Sequence, residues 1–184
     1  MEKIREIRKE VKKKEMIWFT ADYHLGHENI IKYCNRPFDS VEEMNDVIIR
    51  CLRSKVDERD SIYFLGDLSF DIDLAKAFFQ EFEFVHFIIG NHDSENVIRL
   101  AKRHCLSVSY LKEIKIEGQS ITLCHYAMRV WNKKHYDSWQ LYGHSHGTLI
   151  PLVNQYDVGV DNNNFFPISF EELKKNMVIN NDNI

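Results

Sequence analysis

The feature that most constrains this chain is a series of five short apolar runs, each ending at a polar cluster. The runs are rich in β-branched and aromatic residues, which indicates buried strands: MIWFTA (16–21), SIYFLG (61–66), FVHFIIG (84–90), SITLC (120–124) and WQLYG (139–143). Aspartate, asparagine and histidine follow these runs, namely Asp22, His24, Asp67, Asn91, His92, Asp93, His125, His144 and His146. Because the carboxyl ends of parallel strands meet at one edge of a sheet, we expect these side chains to share one crevice.

Helical segments separate the first three runs. Residues 40–53 begin with Ser40 and Glu43, which form a capping box, and a second helical segment covers 74–82. Strands that alternate with helices in this way predict βαβ units around a parallel core.

The second half of the chain is richer in β structure. Gly118 separates two strand-like runs and predicts a hairpin, and YDVGV (156–160) predicts a further strand. Ser169 and Glu172 predict the start of a last helix over 170–176. The expected fold is a single α/β domain over 1–184, an α/β sandwich with either two sheets or one strongly curved sheet.

Charge is distributed unevenly along the chain. Residues 1–15 carry seven Lys or Arg and four Glu, so the remainder has 17 basic and 24 acidic side chains, a net charge of −7. An acidic body disfavours stable binding to duplex nucleic acid, which depends on neutralising phosphates. Ile4, Ile7 and Val11 recur at helical spacing and predict a charged amphipathic helix over 2–14 that packs on the body, with a nucleic-acid arm as the alternative.

The cysteines and the hydropathy pattern bear on the compartment. Four cysteines are scattered without a C-x-x-C pair, which signals neither a zinc finger nor a disulfide framework: Cys34, Cys51, Cys105 and Cys124. There is no secretory leader pattern and no run of about 18 apolar residues. We therefore expect a cytoplasmic protein that does not engage a membrane.

The strand-end donors suit a metal site. Oxygen and imidazole donors without thiolates favour Mn, Fe, Zn or Ni, and Mn is the expected ion. Seven donors exceed the four of one tetrahedral ion, so two divalent ions that share a bridging carboxylate account for them better: Asp22, His24, Asp67, Asn91, His125, His144 and His146. In a chain of this composition, G-N-H should occur by chance about 0.03 times and G-H-x-H about 0.02 times, yet both follow predicted strands.

The order D-x-H, G-D, G-N-H-D, an isolated His and G-H-S-H over residues 22–146 resembles the calcineurin-like metallophosphoesterase superfamily. DYHLGHENII, RPF, VGVD and PISFEEL further resemble a small bacterial and phage-type branch without a cap domain. The resemblance implies the fold of that superfamily, a four-layer αββα sandwich of two mixed sheets flanked by helices. It also implies one metal on Asp22, His24 and His146, a second on Asn91, His125 and His144, and Asp67 as the bridge. Many relatives carry a further Gly or Asp two residues after the G-D pair, whereas this chain continues Leu68-Ser69-Phe70.

The implied activity is hydrolysis of a phosphomonoester or phosphodiester by a hydroxide that bridges the two ions. The resemblance places His92 beside the leaving group as a general acid, with Asp93 as its orienting partner. Candidate substrate contacts are His27, Asn29, Arg36, Arg129 and Trp131. The stretch that contains Arg129 and Trp131 could clamp and stack a nucleotide, which favours a nucleotide-derived ester.

Two alternatives use the same residues. A catalytically silent scaffold would bind a protein partner through this fold, but such relatives are expected to lose ligands and the leaving-group histidine, which are present here. A storage or sensor site for one metal would bind the ion without turnover.

Overall fold

The computed structural model describes residues 15–182; the helix predicted over 2–14 lies outside that range. The strands are β1 (Ile17–Thr20), β2 (Ser61–Phe64), β3 (Val85–Ile88), β4 (Ser107–Ser109), β5 (Leu111–Ile116), β6 (Gln119–Cys124), β7 (Trp139–Tyr142), β8 (Gln155–Asp157) and β9 (Ile168–Ser169). The helices are α1 (Glu28–Tyr33), α2 (Val41–Arg53), α3 (Ile72–Glu81), α4 (Glu95–His104) and α5 (Phe170–Asp182), with 3₁₀ turns at Lys134–Tyr136 and Val160–Asn162.

The strands form two mixed sheets. The first has the order β4-β3-β2-β1-β9, in which β1 to β4 are parallel and β9 is antiparallel to β1. The second has the order β5-β6-β7-β8, in which the β5–β6 hairpin is antiparallel and the other pairs are parallel. The prediction of two mixed sheets flanked by helices is confirmed, and the alternative of a single curved sheet is wrong.

Two hydrophobic cores hold the layers together, one on each face of the first sheet. In β2, Ile62 and Phe64 contact the core under α2, α3 and α4, whereas Tyr63 packs towards the core between the sheets. Alternate burial on both faces explains why the strand sequences are almost continuously apolar. Helix α5 adds Phe170, Leu173 and Met177 to the inter-sheet core.

Helix ends follow the predicted capping signals. The Ser40 side chain accepts from the Glu43 amide at the start of α2, and the Ser169 hydroxyl accepts from the Glu172 amide at the start of α5. Helix α5 continues past its predicted end at residue 176. No helix within residues 15–182 has the length and hydrophobicity needed to cross a bilayer.

The segment 126–138 covers part of the outer face of the second sheet. Buried Gln140 accepts from the Met128 amide through its side-chain oxygen, and Gln155 donates from its side chain to the Met128 carbonyl. These bonds fix the segment to the sheet. At its start, the ring of Tyr126 contacts the rings of His125 and His144, which lie among the polar clusters at the strand ends.

Candidate metal centre

Two groups of potential metal ligands lie side by side at the carboxyl ends of the parallel strands. The first group consists of Asp22, His24 and His146, and the second of Asp67, His125 and His144; within each group the ligand atoms lie within 4.8 Å of one another. The structure therefore brings together six of the seven predicted donors. Each comes from a loop that directly follows a strand of either sheet.

Asp67 lies between the two groups. Its Oδ2 atom is 3.3 Å from His125 Nε2 in the second group and 3.6 Å from His24 Nε2 in the first. The other oxygen, Oδ1, accepts the backbone N–H of His92 at 2.8 Å, which fixes the carboxylate plane. One carboxylate oxygen is thus turned towards imidazoles of both groups.

Several polar atoms of the two groups are buried without a hydrogen-bond partner among the described residues. They are Asp22 Oδ1, Asp67 Oδ2 and both ring nitrogens of His24. Leaving such atoms unpaired in a protein interior costs free energy, about 1–3 kcal/mol for each neutral group and more for a charged one. Divalent cations would satisfy carboxylate oxygens and imidazole nitrogens together, so the donor set fits the metals expected from the sequence.

Hydrogen bonds fix the tautomers of two histidines. His125 Nδ1 donates to the Leu65 carbonyl at 2.7 Å, and His146 Nδ1 contacts Asp161 Oδ2 at 2.7 Å. A carbonyl or carboxylate can only accept, so each Nδ1 carries the hydrogen and each neutral ring has its lone pair on Nε2. Histidine ligands in proteins are typically oriented by such bonds on the second nitrogen.

Burial and charge shift the pKa values in this crevice in opposite directions. Burial raises the pKa of Asp22 to about 7, although His125 and His146 oppose the shift. Burial lowers the pKa of His24 to about 3, so its imidazole is neutral. Burial would lower the pKa of His146 as well, but the hydrogen bond to Asp161 raises it to about 10.

Five of the candidate ligands have left-handed backbones. The φ angles are 61° for Asp22, 52° for His24, 59° for Asp67, 65° for His144 and 49° for His146. A residue other than glycine adopts this backbone conformation only at an energetic cost, and residues held in it concentrate at functional sites. The turns redirect the chain at the strand ends and aim these side chains into the crevice.

The seventh predicted ligand and the predicted acid lie at the rim. Asn91 Oδ1 is 2.9 Å from His125 Nε2, although Asn91 is exposed. His92 is also exposed, and its ring centroid is 5.5 Å from that of His24. His92 therefore stands next to the first group without belonging to either group.

The prediction that Asp93 orients His92 is wrong. Both Asp93 oxygens accept backbone N–H groups: Oδ2 accepts from Gly90 at 2.7 Å and Asp67 at 3.0 Å, and Oδ1 accepts from Leu68 at 3.0 Å. The buried carboxylate holds the Asp67 loop against the loop that carries Asn91 and His92. Its role is to position the backbone.

The prediction that Arg36 contacts a substrate phosphate is wrong, because its guanidinium is buried against the protein. It is 5% exposed, and its guanidinium binds both oxygens of Asp161 and the carbonyl oxygens of Asp22 and Tyr23. All of these acceptors belong to the protein, so the guanidinium is committed to the structure around the first group.

Trp131 is likewise not a stacking surface for substrate. It is 8% exposed, its Nε1 donates to the Ser138 carbonyl at 3.0 Å, and Lys134 lies over its ring. The indole packs inside segment 126–138. Arg129 is exposed on the same segment, and its assignment as a substrate contact stays a prediction.

His27 and Asn29 lie where α1 begins. His27 precedes the first residue of the helix without capping it through its side chain, and its ring stacks on Phe70 at 4.2 Å between centroids. Asn29 is exposed within the helix. Their assignment as phosphate contacts stays a prediction.

Two aspartates that support the candidate centre were not among the predicted site residues. Asp161 joins His146 to Arg36. Asp157 accepts the Ser145 hydroxyl and the Gly147 amide, and so holds the turn that carries His144 and His146. Asp161 is the last residue of the VGVD string, which is the one signal in the sequence that pointed to it.

Comparisons with known proteins give relatives for nearly the whole chain. No family model matches it. The uncharacterized protein MJ1445 of Methanocaldococcus jannaschii is 32% identical over 170 residues, which cover 86% of this chain and 89% of that protein. The structure of a protein of unknown function, AQ665 from Aquifex aeolicus, superimposes with a TM-score of 0.70 at 23% identity over 88% of this chain and 99% of that one, which shows a shared fold. YfcE, a phosphoesterase from E. coli, reaches a TM-score of 0.43 at 17% identity over 78% of each chain, too low to carry an inference.

Proposed function

This chain belongs to the same protein family as MJ1445, and we propose that it is a metal-dependent phosphoesterase. The proposal rests on the geometry of the chain's own site. The observation that carries the proposal is the placement of Asp67 Oδ2, which is buried without a hydrogen-bond partner within residues 15–182 and lies 3.6 Å from His24 Nε2 and 3.3 Å from His125 Nε2. A carboxylate held between two clusters of imidazole and carboxylate donors suits a bridge between two cations.

The residues of the site divide naturally between two ions. Asp22, His24 and His146 would hold one, and His125, His144 and Asn91 the other, with Asp67 shared. The order of the sequence motifs and this division together support membership of the calcineurin-like metallophosphoesterase superfamily. Manganese is the expected ion, with iron, zinc and nickel as alternatives.

Cations bound here would supply positive charge to an anionic phosphoester and lower the pKa of a water towards neutrality. The protein itself orients the donors: Leu65 and Asp161 hold the Nε2 atoms of His125 and His146 towards the crevice. His92 is exposed beside the first group, where it can donate a proton to a departing alkoxide.

The substrate class that we propose is a phosphomonoester or phosphodiester that reaches an open crevice. Asp22 and Asp67 would leave a net positive charge on a centre with two divalent cations, which favours an anion. Hydrolysis would break the P–O bond to the leaving group and form a new P–O bond to water oxygen, while the leaving oxygen gains a proton.

The test combines metal analysis with a substrate panel. Purified protein is analysed for bound elements, and its hydrolysis of p-nitrophenyl phosphate and bis(p-nitrophenyl) phosphate is measured with and without added Mn²⁺. We expect metal-dependent hydrolysis of at least one ester. Asp67→Asn should lower metal content and activity together, whereas Asp46→Asn, on the exposed face of α2, should change neither. Full activity in metal-stripped protein, or in Asp67→Asn, would contradict the proposal.

A further inference from the structure

A row of aromatic rings leads from the surface to His92. Tyr33 lies 6.2 Å from His27, His27 stacks on Phe70 at 4.2 Å, and Phe70 lies 5.4 Å from His92, all between ring centroids. Beneath the row, the buried candidate ligand His24 lies 5.8 Å from both His27 and Phe70. We call Tyr33, His27 and Phe70 the aromatic row.

The aromatic row exposes much apolar surface at the mouth of the crevice. Phe70 is 49% exposed and Tyr33 is 74% exposed. His27 stacks on Phe70 with 14° between the ring planes, and the rings of His24 and His92 lie 5.8 Å and 5.4 Å from the Phe70 centroid, so the exposed half of Phe70 is the part that these three rings leave uncovered. Exposed aromatic surface beside a functional crevice is typical of a binding site.

The backbone holds Phe70 firmly in this position. The Phe70 amide donates to the Leu25 carbonyl at 2.8 Å, and Leu25 forms a β-bridge with Ser69. The Ser69 hydroxyl donates further to the carbonyl of Leu25 or of Asp71. The ring therefore offers a preformed surface, and a ligand that stacks on it pays little for ordering the protein.

We propose that the aromatic row binds the nucleobase of a substrate whose leaving group is a nucleoside. This inference rests on the proposed function, because it places the leaving group on the His92 side of the crevice. In a nucleoside, the sugar separates the phosphoester oxygen from the base. The row has a matching offset, because Phe70 is its ring nearest to His92, at 5.4 Å between centroids, and the row continues through His27 to Tyr33. Stacking on an aromatic side chain suits any base, since every base has a planar π-face.

The chemistry of the row favours a flat ring over an alkyl chain. Phe70 offers a π-face and no hydrogen-bonding group, so it discriminates by planarity rather than by base identity. We therefore expect a preference for nucleosides over sugars with little selectivity among bases.

The test compares two ligands that differ only in the base. Adenosine 5′-phosphate and ribose 5-phosphate, together with their methyl diesters, serve as substrates of the metal-loaded protein. Their non-hydrolysable methylenephosphonate analogues serve for equilibrium binding by calorimetry. In the wild-type protein we expect the base to improve binding and kcat/KM about tenfold, which equals about 1.4 kcal/mol.

Substitutions at Phe70 test whether its ring causes the preference for ligands with a base. Phe70→Leu keeps apolar volume but removes the ring, so it should abolish the tenfold preference while the values for the ribose compounds stay within about twofold. Phe70→Tyr keeps the ring and should retain the preference. Tyr110→Leu is the matched control, because Tyr110 is 70% exposed on a loop outside the aromatic row.

The outcomes separate the two proposals. Equal binding of the base-containing and base-free phosphonates to the wild-type protein would overturn the aromatic row as a base site, even if phosphoesters are hydrolysed. A preference that persists in Phe70→Leu would overturn it as well. If binding shows the preference but no ester is cleaved, the row stands as a nucleotide site and the proposed hydrolysis fails.

Discussion

Arg36 and Asp161 form a buried ion pair that links two candidate metal ligands far apart in the sequence. Arg36 Nε and a terminal guanidinium nitrogen each donate to one Asp161 oxygen at 2.8 Å. The second nitrogen also donates to the Asp22 carbonyl at 2.7 Å, and Asp161 in turn orients His146. The pair therefore fixes both the left-handed turn at Asp22 and the ring of His146.

Replacing Arg36 should destabilise the protein strongly. Arg36→Met leaves the buried Asp161 carboxylate with His146 as its remaining charged partner within the described part of the chain, so we expect the free energy of unfolding to fall by about 3 kcal/mol. Arg53→Met is the matched control: Arg53 pairs with Glu81 through two bonds at an exposed site, where removal should cost less than about 1 kcal/mol. Urea unfolding of both variants measures the difference, and equal losses would contradict this assignment.

Metal binding should weaken in acid. The pKa of His146 is about 10 and that of Asp22 about 7, so a cation must displace a proton from His146 throughout the neutral range and, below about pH 7, from Asp22 as well. His24, with a pKa of about 3, is already neutral and contributes no proton. We expect Mn²⁺ affinity to fall by about tenfold or more between pH 8 and about pH 6, with proton release visible by calorimetry in buffers of different ionisation enthalpy. An affinity that does not change over this range would refute the explanation.

The raised pKa of Asp22 also makes the stability of the folded protein depend on pH. Its pKa is about 7 in the folded, cation-free protein against an ordinary value of 3.8, so the folded state binds this proton more tightly than the unfolded state. The contribution of Asp22 is therefore most favourable below about pH 4 and is lost as the pH rises towards about 7. A bound cation removes this penalty, because it replaces the proton.

Replacing His92 should separate turnover from metal binding. His92→Ala removes an exposed ring that belongs to neither ligand group, so metal content should be unchanged while kcat falls about a hundredfold or more. His104→Ala, an exposed histidine at the end of α4, serves as the control. Metal loss in His92→Ala would contradict the assignment, as would unchanged turnover.

A methyl group at Gly143 should disturb the first group. A Cβ at this position would lie 2.7 Å from both Asp22 Oδ2 and the Ala21 side chain, closer than atoms can approach without displacement. Gly143→Ala should therefore shift the Asp22 carboxylate and weaken Mn²⁺ binding about tenfold. Gly118→Ala should show the opposite pattern: its Cβ meets open space, but its φ of +91° is strained, so stability should fall with metal binding intact. Equal metal affinity in both variants would contradict this view of the Asp22 environment.

The strands and the convergence of the donors were predictable from local patterns. Buried β-branched and aromatic runs identified β1, β2, β3, β6 and β7, and the rule that parallel strand ends meet at one edge of a sheet predicted that the polar residues after them gather. The donors after β1 and β2 and those after β6 and β7 belong to different sheets, so their meeting also depends on how the two sheets stack. The predicted hairpin is confirmed in β5 and β6. The short strand just before it, Ser107–Ser109, pairs with β3 and forms the edge of the first sheet. The sheet that this short strand joins depends on which sheet edge is open, and no local sequence pattern encodes that.

The errors concern side chains whose partners lie far away in the sequence. Arg36 pairs with Asp161, 125 positions later, and Trp131 is buried by the fold of its own loop onto the second sheet. Asp93 follows the predicted G-N-H motif, but its partners are amides of another loop, 25 and 26 positions away, as well as Gly90. Residue type alone could not distinguish these buried contacts from roles at the surface.

The most direct measurement of the central claim is electron paramagnetic resonance of the Mn²⁺-loaded protein, with the bound manganese counted by elemental analysis. A carboxylate that bridges two ions, about 3.5–4 Å apart in such centres, couples their spins. We expect two Mn²⁺ per chain and a spin-coupled spectrum that becomes the spectrum of isolated ions in Asp67→Asn. A single Mn²⁺ per chain, or two ions with uncoupled spectra in the wild-type protein, would contradict the account.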